Sequence, residues 1–418
     1  MSLVMGMDQH RAQISAEWIE TITGEISRAR IAPADRAGVR KFLARFKGAD
    51  LEVALEATTG WRFLTEELQR VGADVHLAEV VQTSGLKGRG KRPKTDWADA
   101  QHLRELLLIG RLPESWIAPA HLLDLRAQVR CRHTLVHQRT EWQQRMQAVL
   151  FHHGAPHSRG LLKLENRERV AALKLPAAAR EQLTIALSMI DAIDLQLSPF
   201  DLSLRDYARK QPGCHALSNE IYGIGELTSV TILAELGDTR RFQNSRDAVR
   251  YSGLDITVRE SDQRRAPGHL SRQGPPALRW ALYEAAQAAR RPSSPDRPYY
   301  EQLAARIGSN RACIAISRKL LKRSYHLLRA LGDRPWNPSP PERATAVTRQ
   351  ARPITMNRGQ FPKPCCRPLT GDGPERPSGR NPSAGTIAVG TPVARRPPHR
   401  SQRARQVSRP GEFRPRAL

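Results

Sequence analysis

The sequence predicts an N-terminal α/β domain, then a long helical segment, a mostly α-helical second domain and a C-terminal tail. Three observations predict this order. Short apolar runs alternate with amphipathic helical patterns from about residue 3 to 118, strand patterns are absent from about residue 120 to 210, and a Gly-Ile-Gly turn between two helical patterns follows. Alternating strands and helices are typical of mixed α/β sheets, whereas long periodic segments indicate paired helices.

The N-terminal elements can be assigned in chain order from apolar periodicity and turn residues. Residues 3–31 alternate loosely around Gly24, which predicts a β-hairpin, and Pro33 opens the first helical pattern. The elements predicted after the hairpin are a helix over 34–48, a strand over 51–58, a helix over 61–73, a strand over 74–80 and a helix over 96–112. This order, with acids at strand ends, is that of a ribonuclease-H-like domain, which we predict over residues 1–118.

The rest of the chain divides into three predicted segments. Residues 119–210 carry two long helical patterns, which predict an antiparallel coiled-coil hairpin or a dimerising coil, with a connection over 161–176. Residues 211–334 predict a mostly α-helical domain that contains a helix-hairpin-helix motif. The tail over 335–418 is predicted to be disordered, because half of the chain's 30 prolines follow Pro335 and large apolar residues are scarce there.

The chain is strongly basic. It contains 67 Lys and Arg against 41 Asp and Glu, which gives a formal net charge of +26 and a pI near 10.9. From Trp336 onward there are 16 basic and 4 acidic residues, so the part before the tail is basic as well. A field of this sign favours polyanionic partners, and nucleic acid is the first candidate.

Several protein classes are not indicated. The five cysteines form no C-x-x-C pair with a second half, so neither a zinc site nor a disulfide framework is predicted. No apolar run approaches the length of a membrane span, and the first residues lack the pattern of a signal peptide. We therefore expect a cytoplasmic protein without a membrane partner.

Four acidic residues form the candidate catalytic site. Asp8 lies in the first predicted strand, Glu56 ends the next apolar strand, and Asp96 and Asp99 are three residues apart on one helix face. Phosphoryl transfer on nucleic acid uses two divalent ions about 4 Å apart, and carboxylates are the hard ligands that Mg²⁺ prefers. The set therefore predicts a Mg²⁺ site. The alternative is that Asp96 caps the helix, Asp99 favours its positive end and Glu56 is a surface acid.

Two further patterns predict contacts with phosphates. Gly223 and Gly225 would let backbone amides approach a phosphate at a helix N-terminus, although an ordinary turn between packed helices has the same pattern. The basic, Gly-rich stretch over 84–96 predicts a mobile surface loop that binds phosphate or is simply solvated. The basic candidates in this loop and after the Gly-Ile-Gly turn are Lys87, Arg89, Lys91, Arg92, Lys94, Arg264, Arg265 and Arg272.

Five stretches carry a resemblance to a known family. They are GMDQH, LEVALEATTGW, KTDWADA, IYGIGELTSVTILAELGDTRRFQNSRDAVRYSGL and ITVRESDQRRAPGHLSRQGPPALRWALYEAA. In these stretches the chain resembles the DEDD-type transposases of the insertion sequence one-ten family. Members of that family join a RuvC-like N-terminal domain to a C-terminal transposase domain that bears a serine. The resemblance covers about residues 3–332, and its blocks are specific when found together in this order.

The resemblance implies a role for each part of the candidate site. The four acids would form the quartet that holds Mg²⁺. By residue type alone, Ser252, Ser261 and Ser271 are all candidate nucleophiles. The resemblance selects Ser261. The next residue is Asp262, where the family usually has glycine. Family members use a structured RNA encoded beside the gene, so a guide RNA is an implied partner. A homo-oligomer, a dimer or a synaptic tetramer, is implied as well.

We therefore predict an RNA-guided transposase that forms a covalent ester between Ser261 and DNA, exchanges strands and religates them. The ester retains the energy of the broken bond, so no ATP-binding motif is needed, and the sequence contains no G-x-x-x-x-G-K-[ST] motif. Two alternatives stay open. One is a catalytically silent nucleic-acid-binding relative, and the other is a structure-specific nuclease that uses the same acids with water as the nucleophile.

Overall fold

A computed structural model of the chain describes residues 2–87, 95–155, 160, 162, 164–261, 264–266 and 268–336. The chain divides into two units, Met1–Val347 and Thr348–Leu418, and every described residue lies in the first. The predicted disordered tail lies outside the described residues from residue 337 onward.

The N-terminal part is built on a mixed five-stranded sheet with the strand order β3-β2-β1-β4-β5. The strands are β1 (Ser2–Gln9), β2 (Ile14–Glu20), β3 (Ile26–Ile31), β4 (Asp50–Glu56) and β5 (Asp74–Ala78). β1, β2 and β3 are antiparallel neighbours, whereas β4 is parallel to β1 and β5 is parallel to β4. β1 is buried from Leu3 to Gln9, as expected for a central strand covered on both faces.

The prediction of a two-stranded β-hairpin over residues 3–31 is wrong, because this stretch contains three strands. Gly24 lies in the turn between β2 and β3, with a φ of 74°. The turn between β1 and β2 is closed by the His10 N–H, which donates to the Gln13 carbonyl at 3.0 Å. Residues 10–13 contain no Gly, Pro, Asn or Asp, so the usual turn residues gave no signal of this turn.

Helices cover both faces of the sheet. They are α1 (Arg36–Leu43), α2 (Trp61–Arg70), α3 (Val80–Gly85) and α4 (Asp96–Leu108). On one face Leu64 of α2 packs in the same core as Met5 and Met7 of β1. On the other face Leu103 of α4 packs with Ala54 of β4. The strand and helix order predicted for residues 51–112 is confirmed, with α3 as an additional short helix.

α4 lies directly on β1 because Gly6 has no side chain. A Cβ atom built on Gly6 would be 2.0 Å from the Ala100 carbonyl oxygen and 2.6 Å from the Arg104 nitrogen. Beside this contact, the Arg104 guanidinium donates to the Glu17 carboxylate at 3.0 Å, and both side chains are almost fully buried. Removing one partner of a buried pair leaves an uncompensated charge, so the pair holds α4 at one place on the sheet.

Two long helices follow the sheet, as predicted. The helices of this segment are α5 (Ala120–His152), α6 (Leu164–Ala171) and α7 (Ala177–Arg209). Arg132 of α5 pairs with Asp201 of α7, and Arg139 pairs with Asp194. Because the later residue of α5 pairs with the earlier residue of α7, the two helices are antiparallel. The predicted connection over 161–176 contains α6.

By length and composition alone, α7 is apolar enough to cross a membrane. This corrects the expectation that no segment reaches that length. Leu183 and Ile190 of α7 are buried in one cluster with Met146 and Leu150 of α5. Only 28% of the apolar stretch of α7 is buried, and Ile185, Leu195 and Leu202 are exposed. The contact with α5 therefore covers one side of α7.

The C-terminal described residues are mostly helical. Their elements are α8 (Pro212–Glu220), α9 (Glu226–Leu236), α10 (Ser245–Ser252), β6 (Arg259–Ser261), β7 (Arg264–Ala266), α11 (Pro276–Gln287), α12 (Arg297–Ile307) and α13 (Ser309–Ala330). α9 is buried from Ser229 to Leu236. One apolar core runs from Ala118, before α5, to Trp336, after α13. The domain boundaries predicted after residues 118, 210 and 334 stay predictions.

Candidate functional site

The sheet places Asp8 and Glu56 next to each other. β1 and β4 are parallel, with Gly6 opposite Ala54, so Asp8 and Glu56 lie near the C-terminal ends of adjacent strands. Alternation puts Asp8 on the same face as Gly6 and Glu56 on the same face as Ala54. This is the face that α4 covers, so both acids lie beneath the start of that helix.

α4 brings two more acids to the same place. The Thr95 side chain accepts a hydrogen bond from the Ala98 N–H at 3.2 Å, so Thr95 is the N-cap and the helix begins at Asp96. Asp96 and Asp99 both lie in the first turn, and residues three apart share one helix face. The alternative in which Asp96 caps the helix is wrong, because Thr95 does so.

The turn between β1 and β2 contributes two further polar side chains. His10 Nε2 is 3.0 Å from Asp8 Oδ2 and 3.5 Å from Asp96 Oδ1. One ligand atom from each of Asp8, His10 and Asp96 lies within 4.8 Å of the others. The Gln13 amide donates to Asp96 Oδ2 at 3.1 Å. The turn therefore links the acid at the end of β1 to the acid that begins α4.

Lys87 contacts the second acid of α4. Its Nζ donates to Asp99 Oδ1 at 2.7 Å, so one of the predicted phosphate-binding lysines lies on the acidic group itself. The same ammonium is close enough to Glu56 to lower the pKa of that carboxyl, against the effect of burial. Lys87 therefore neutralises part of the negative charge of the four acids.

Burial raises the pKa of two of the acids. The pKa of Asp8 lies above its ordinary value, first because the carboxyl is buried and then because Asp99 and Asp96 are near, while His10 opposes the shift. Burial also raises the pKa of Glu56, with smaller contributions from Asp8 and Asp99. These mutual effects mean that the acids form one electrostatic group. Such a group favours a bound cation.

A buried hydroxyl lies beside Asp8. Ser15 of β2 is directly opposite Asp8 of β1, so the two side chains are neighbours on one face of the sheet. Ser15 Oγ is fully buried and has no hydrogen-bond partner among the described residues. Buried hydroxyls in proteins normally have hydrogen-bond partners. The Ser15 hydroxyl is therefore available to bond to a group held by Asp8.

Trp97 and two arginines form a basic edge next to the acids. The guanidinium carbons of Arg30 and Arg28 lie 5.3 and 5.8 Å from the centroid of the Trp97 ring. Trp97 is the second residue of α4 and directly follows Asp96. Both arginines are exposed on β3. The Arg28 guanidinium also donates to the buried Glu17 carboxylate at 2.6 Å. Arg30 is therefore the more available of the two cations for a phosphate.

Sequence analysis missed the polar residues of this turn and edge. His10 lies two residues after Asp8, at the end of an apolar strand, where polar side chains frequently carry function. This position was the one sequence pattern that could have indicated His10 as a site residue. Arg28 and Arg30 alternate with smaller residues along one strand. Neither pattern indicates which acids the residues meet, because Gln13 and Asp96 are 83 positions apart.

The Gly-Ile-Gly turn joins α8 to α9, as predicted. Gly223 has a φ of 91°, and a Cβ built on it would be 2.7 Å from the Ala285 carbonyl oxygen and 2.7 Å from Ala288 Cβ. Gly223 is therefore required by packing against α11. Gly225 precedes α9, and a Cβ built on it would meet nothing within 4 Å. Space for a ligand is open at Gly225.

The predicted serine nucleophile lies in a short hairpin. Ser261 ends β6 and pairs with Arg264 of β7, while Arg265 pairs with Glu260. The side chains of Ser261, Arg264 and Arg265 lie outside the described set, as do residues Arg89, Lys91, Arg92 and Lys94. Arg272 is exposed, with a φ of 56°, and its N–H donates to the Gly253 carbonyl at 3.1 Å.

The other two candidate serines have partners within the fold. Ser252 is fully buried and donates to the Val249 carbonyl at 2.7 Å. Ser271 donates to the carboxylate of Asp255, across a strand-like pairing in which the Ser271 N–H also donates to the Asp255 carbonyl. Both hydroxyls are used in local structure.

Two family models match the chain. A model for DEDD transposases of the IS110 group matches residues 5–153, and a model described as "Transposase IS116/IS110/IS902 family" matches residues 215–301. The first range contains all four acids, and the second contains the Gly-Ile-Gly turn and Ser261.

Three relatives illustrate the similarity. The chain is 23% identical over 275 residues to a transposase for insertion sequence element IS1111A of Coxiella burnetii, a match that covers 64% of this chain and 74% of the relative. It is 25% identical to the putative transposase y4pF/y4sB of Sinorhizobium fredii, over 66% of this chain and 70% of the relative. It is 22% identical to a probable family 20 transposase of Pseudomonas aeruginosa, over 60% of this chain and 75% of the relative.

Proposed function

Because the chain belongs to the IS110 family of transposases, we propose that it cuts and rejoins DNA by phosphoryl transfer at the acidic group. The observation that carries this proposal is the meeting of Asp8, Glu56 and the two acids of α4 at one place, although they come from three separate elements. The antiparallel strands followed by two parallel strands, with acids at strand ends, support a ribonuclease-H-like, RuvC-like class for the sheet.

The donor set fits a divalent cation. Carboxylate oxygens are the ligands that Mg²⁺ prefers. Burial is the main cause of the raised pKa values of Asp8 and Glu56, and the neighbouring acids raise them further. A bound cation would stabilise both carboxylates in their charged form. The unpartnered Ser15 hydroxyl lies beside Asp8. We propose that Asp8, Glu56, Asp96 and Asp99 hold Mg²⁺. When bound, Mg²⁺ would offset the charge that develops on the scissile phosphate.

Ser261 is our candidate nucleophile. Its hydroxyl oxygen would attack the phosphorus of the scissile phosphodiester and lose its proton, while the bond from phosphorus to the leaving deoxyribose oxygen breaks and that oxygen takes up a proton. A hydroxyl of another DNA end would then displace Ser261 from the ester. One phosphodiester bond is formed for each one broken, so no nucleotide cofactor is consumed. Family membership and the position of Ser261 within the second matched range support this role.

The basic surface would hold the nucleic acid. Arg28 and Arg30 on Trp97 lie next to the acids and would contact phosphates that flank the scissile bond. Gly225 and Arg272, both at open positions, are candidates in the helical part. Family membership supports a structured guide RNA as a second partner and assembly of the chain into a dimer or tetramer.

The proposal can be tested with the full chain, DNA carrying the element ends, a target duplex and RNA transcribed from the flanking DNA. We expect Asp96→Asn and Ser261→Ala to abolish the joined product while DNA binding persists. The unmodified chain should form a protein–DNA adduct that resists denaturation, and Ser261→Ala should not. Asp50→Asn, at the exposed opposite end of β4, and Ser271→Ala are the matched controls and should keep the adduct.

Each alternative function gives a different result. Metal-dependent cutting that survives Ser261→Ala would identify a nuclease that uses water, and would refute the serine mechanism. Binding without cutting under every metal and RNA condition would identify a silent relative, and would refute phosphoryl transfer.

A further inference from the structure

We propose that His10 is a ligand of the metal bound by the acidic group, so that this metal centre is a mixed nitrogen and oxygen site with a raised preference for Mn²⁺ over Mg²⁺. The inference rests on the proposed function, because it concerns the same metal. It goes beyond that function by adding a ligand that lies outside the four acids and by stating that this ligand strengthens the binding of Mn²⁺ more than that of Mg²⁺.

The distances around His10 match the spacing of ligands around one ion. Neighbouring ligands of an octahedral ion with bonds of about 2.1 Å are about 3 Å apart, and opposite ligands are about 4 Å apart. His10 Nε2 is 3.0 Å from Asp8 Oδ2 and 3.5 Å from Asp96 Oδ1. One atom from each of the three residues can therefore bind a common ion with little movement.

The surrounding contacts hold this arrangement in place. The His10 N–H donates to the Gln13 carbonyl at 3.0 Å, which closes the turn and positions the imidazole. The Gln13 side chain in turn donates to Asp96 Oδ2. The other oxygen, Asp96 Oδ1, faces His10. Partners of this kind orient metal ligands in many proteins.

An ordinary role for His10 would be a hydrogen bond to one surface carboxylate. The position of the imidazole favours a ligand instead, and a buried hydroxyl nearby indicates that a polar group is bound at Asp8. The imidazole lies between carboxylates from two elements, β1 and α4, rather than beside one. Independently, Ser15 Oγ is buried, has no partner among the described residues, and neighbours Asp8 on the same face of the sheet. A polar group held at Asp8 would satisfy that hydroxyl.

The chemistry of the donor set determines the preferred metal. Mg²⁺ is a hard ion that takes oxygen ligands almost exclusively, whereas imidazole suits first-row transition metals, whose affinities rise from Mn²⁺ onward. An imidazole in place of one water therefore stabilises bound Mn²⁺ more than bound Mg²⁺. Removal of His10 should reduce Mn²⁺ affinity more than Mg²⁺ affinity.

The experiment uses the full chain with Mn²⁺ alone, without DNA. Mn²⁺ binding is followed by electron paramagnetic resonance, nitrogen coordination by pulsed measurement of the ¹⁴N coupling, and Mg²⁺ affinity by competition. We expect a ¹⁴N coupling in the unmodified chain and its loss in both His10→Ala and His10→Gln. We also expect Mn²⁺ affinity to fall about tenfold in both variants, with a smaller change for Mg²⁺. His137→Gln is the matched control, because His137 Nδ1 lies 3.5 Å from Glu141, which is on the same helix α5 and is not one of the four acids.

The results separate this inference from the proposed function. Absence of a ¹⁴N coupling in the unmodified chain, or full Mn²⁺ affinity in His10→Gln, would overturn the role of His10 as a ligand. If Asp96→Asn abolishes Mn²⁺ binding while the His10 variants bind normally, the metal site stands and only this inference falls. If Asp96→Asn leaves both Mn²⁺ binding and DNA cutting unchanged, the proposed function falls as well. Thermal unfolding of each variant checks that it is folded.

Discussion

Gly6 determines how close the acids of α4 come to Asp8. The Ala100 carbonyl oxygen would lie 2.0 Å from a Cβ at this position, which no real Cβ atom tolerates. Since Asp96 precedes Ala100 by about one helical turn, the absence of one methyl group lets Asp96 reach the end of β1. The buried pair of Arg104 and Glu17 holds the helix there once it has approached.

We predict that Gly6→Ala destabilises the chain by about 1–3 kcal/mol or more, because the methyl group clashes with backbone atoms that cannot rotate away. It should also weaken metal binding, since α4 must move outward and carry Asp96 and Asp99 with it. Urea unfolding and Mn²⁺ titration measure the two effects. Gly85→Ala in α3 is the control, because a Cβ there meets nothing within 4 Å. Equal stability of the two variants would contradict the packing argument.

At the scale of elements, helices are held together by buried charges. Glu67 of α2 is almost fully buried and accepts hydrogen bonds from Arg40 at 2.7 Å and from Arg36 at 2.7 Å, both in α1. These bonds hold the pKa of Glu67 at about 2, below its ordinary value of 4.5. The carboxylate therefore stabilises the fold at pH values above 4.5, and this contribution is lost as the pH falls toward 2.

The corresponding prediction concerns Glu67→Gln. At about pH 7 the free energy of unfolding should fall by about 1–3 kcal/mol, because charged hydrogen bonds to two arginines are lost. Between pH 4.5 and about pH 3 the unmodified chain should lose stability faster than the variant, so that the difference shrinks. Denaturant unfolding followed by circular dichroism measures both. Glu66→Gln, at a neighbouring half-buried acid whose partners Arg36 and Arg62 are themselves partly exposed, should change stability by no more than about 1 kcal/mol. A difference that is constant with pH would contradict the assignment.

The turn between α8 and α9 gives a second prediction at this scale. Gly223→Ala should destabilise the chain by about 1–3 kcal/mol, because the methyl group meets α11 and the φ is positive. Gly225→Ala should leave stability nearly unchanged, since its Cβ has open space. A lower DNA affinity of Gly225→Ala would then indicate that the start of α9 contacts phosphate, because the variant remains folded. A loss of stability in Gly225→Ala with none in Gly223→Ala would reverse our assignment of the two glycines.

At the scale of the whole molecule, the charge is divided between the described part and the tail. The tail from Trp336 carries 16 of the 67 basic residues and 4 of the 41 acids. The remaining part is also basic, and near the acidic group Arg28 and Arg30 lie on Trp97. We therefore expect both parts to contact nucleic acid, the tail without sequence preference.

Truncation after Trp336 tests this division. Binding of a random DNA duplex by the full chain should weaken steeply as salt concentration rises, because bound phosphates release counterions. The truncated chain should bind more weakly at low salt and show a smaller slope of log affinity against log salt, with the joined product still formed. Fluorescence anisotropy over a salt series measures the slopes. Equal slopes would mean that the tail makes no phosphate contacts.

Much of the element order was predictable because it depends on local periodicity. The strands of residues 51–58 and 74–80, the helix that begins at Asp96 and the two long helices were all indicated by apolar spacing and caps. The turn at residues 10–13 was not, because its residues are not turn formers.

The sequence by itself determined the chemistry available to this protein: hard carboxylate ligands, a basic surface, and the family to which the chain belongs. Only the tertiary structure decided which groups meet. His10, Gln13 and Ser15 join the acids because β1 turns back as β2 and because Gly6 admits α4. Lys87 contacts Asp99 for the same reason. Such meetings depend on packing between elements distant in the chain, and no local pattern of residues encodes them.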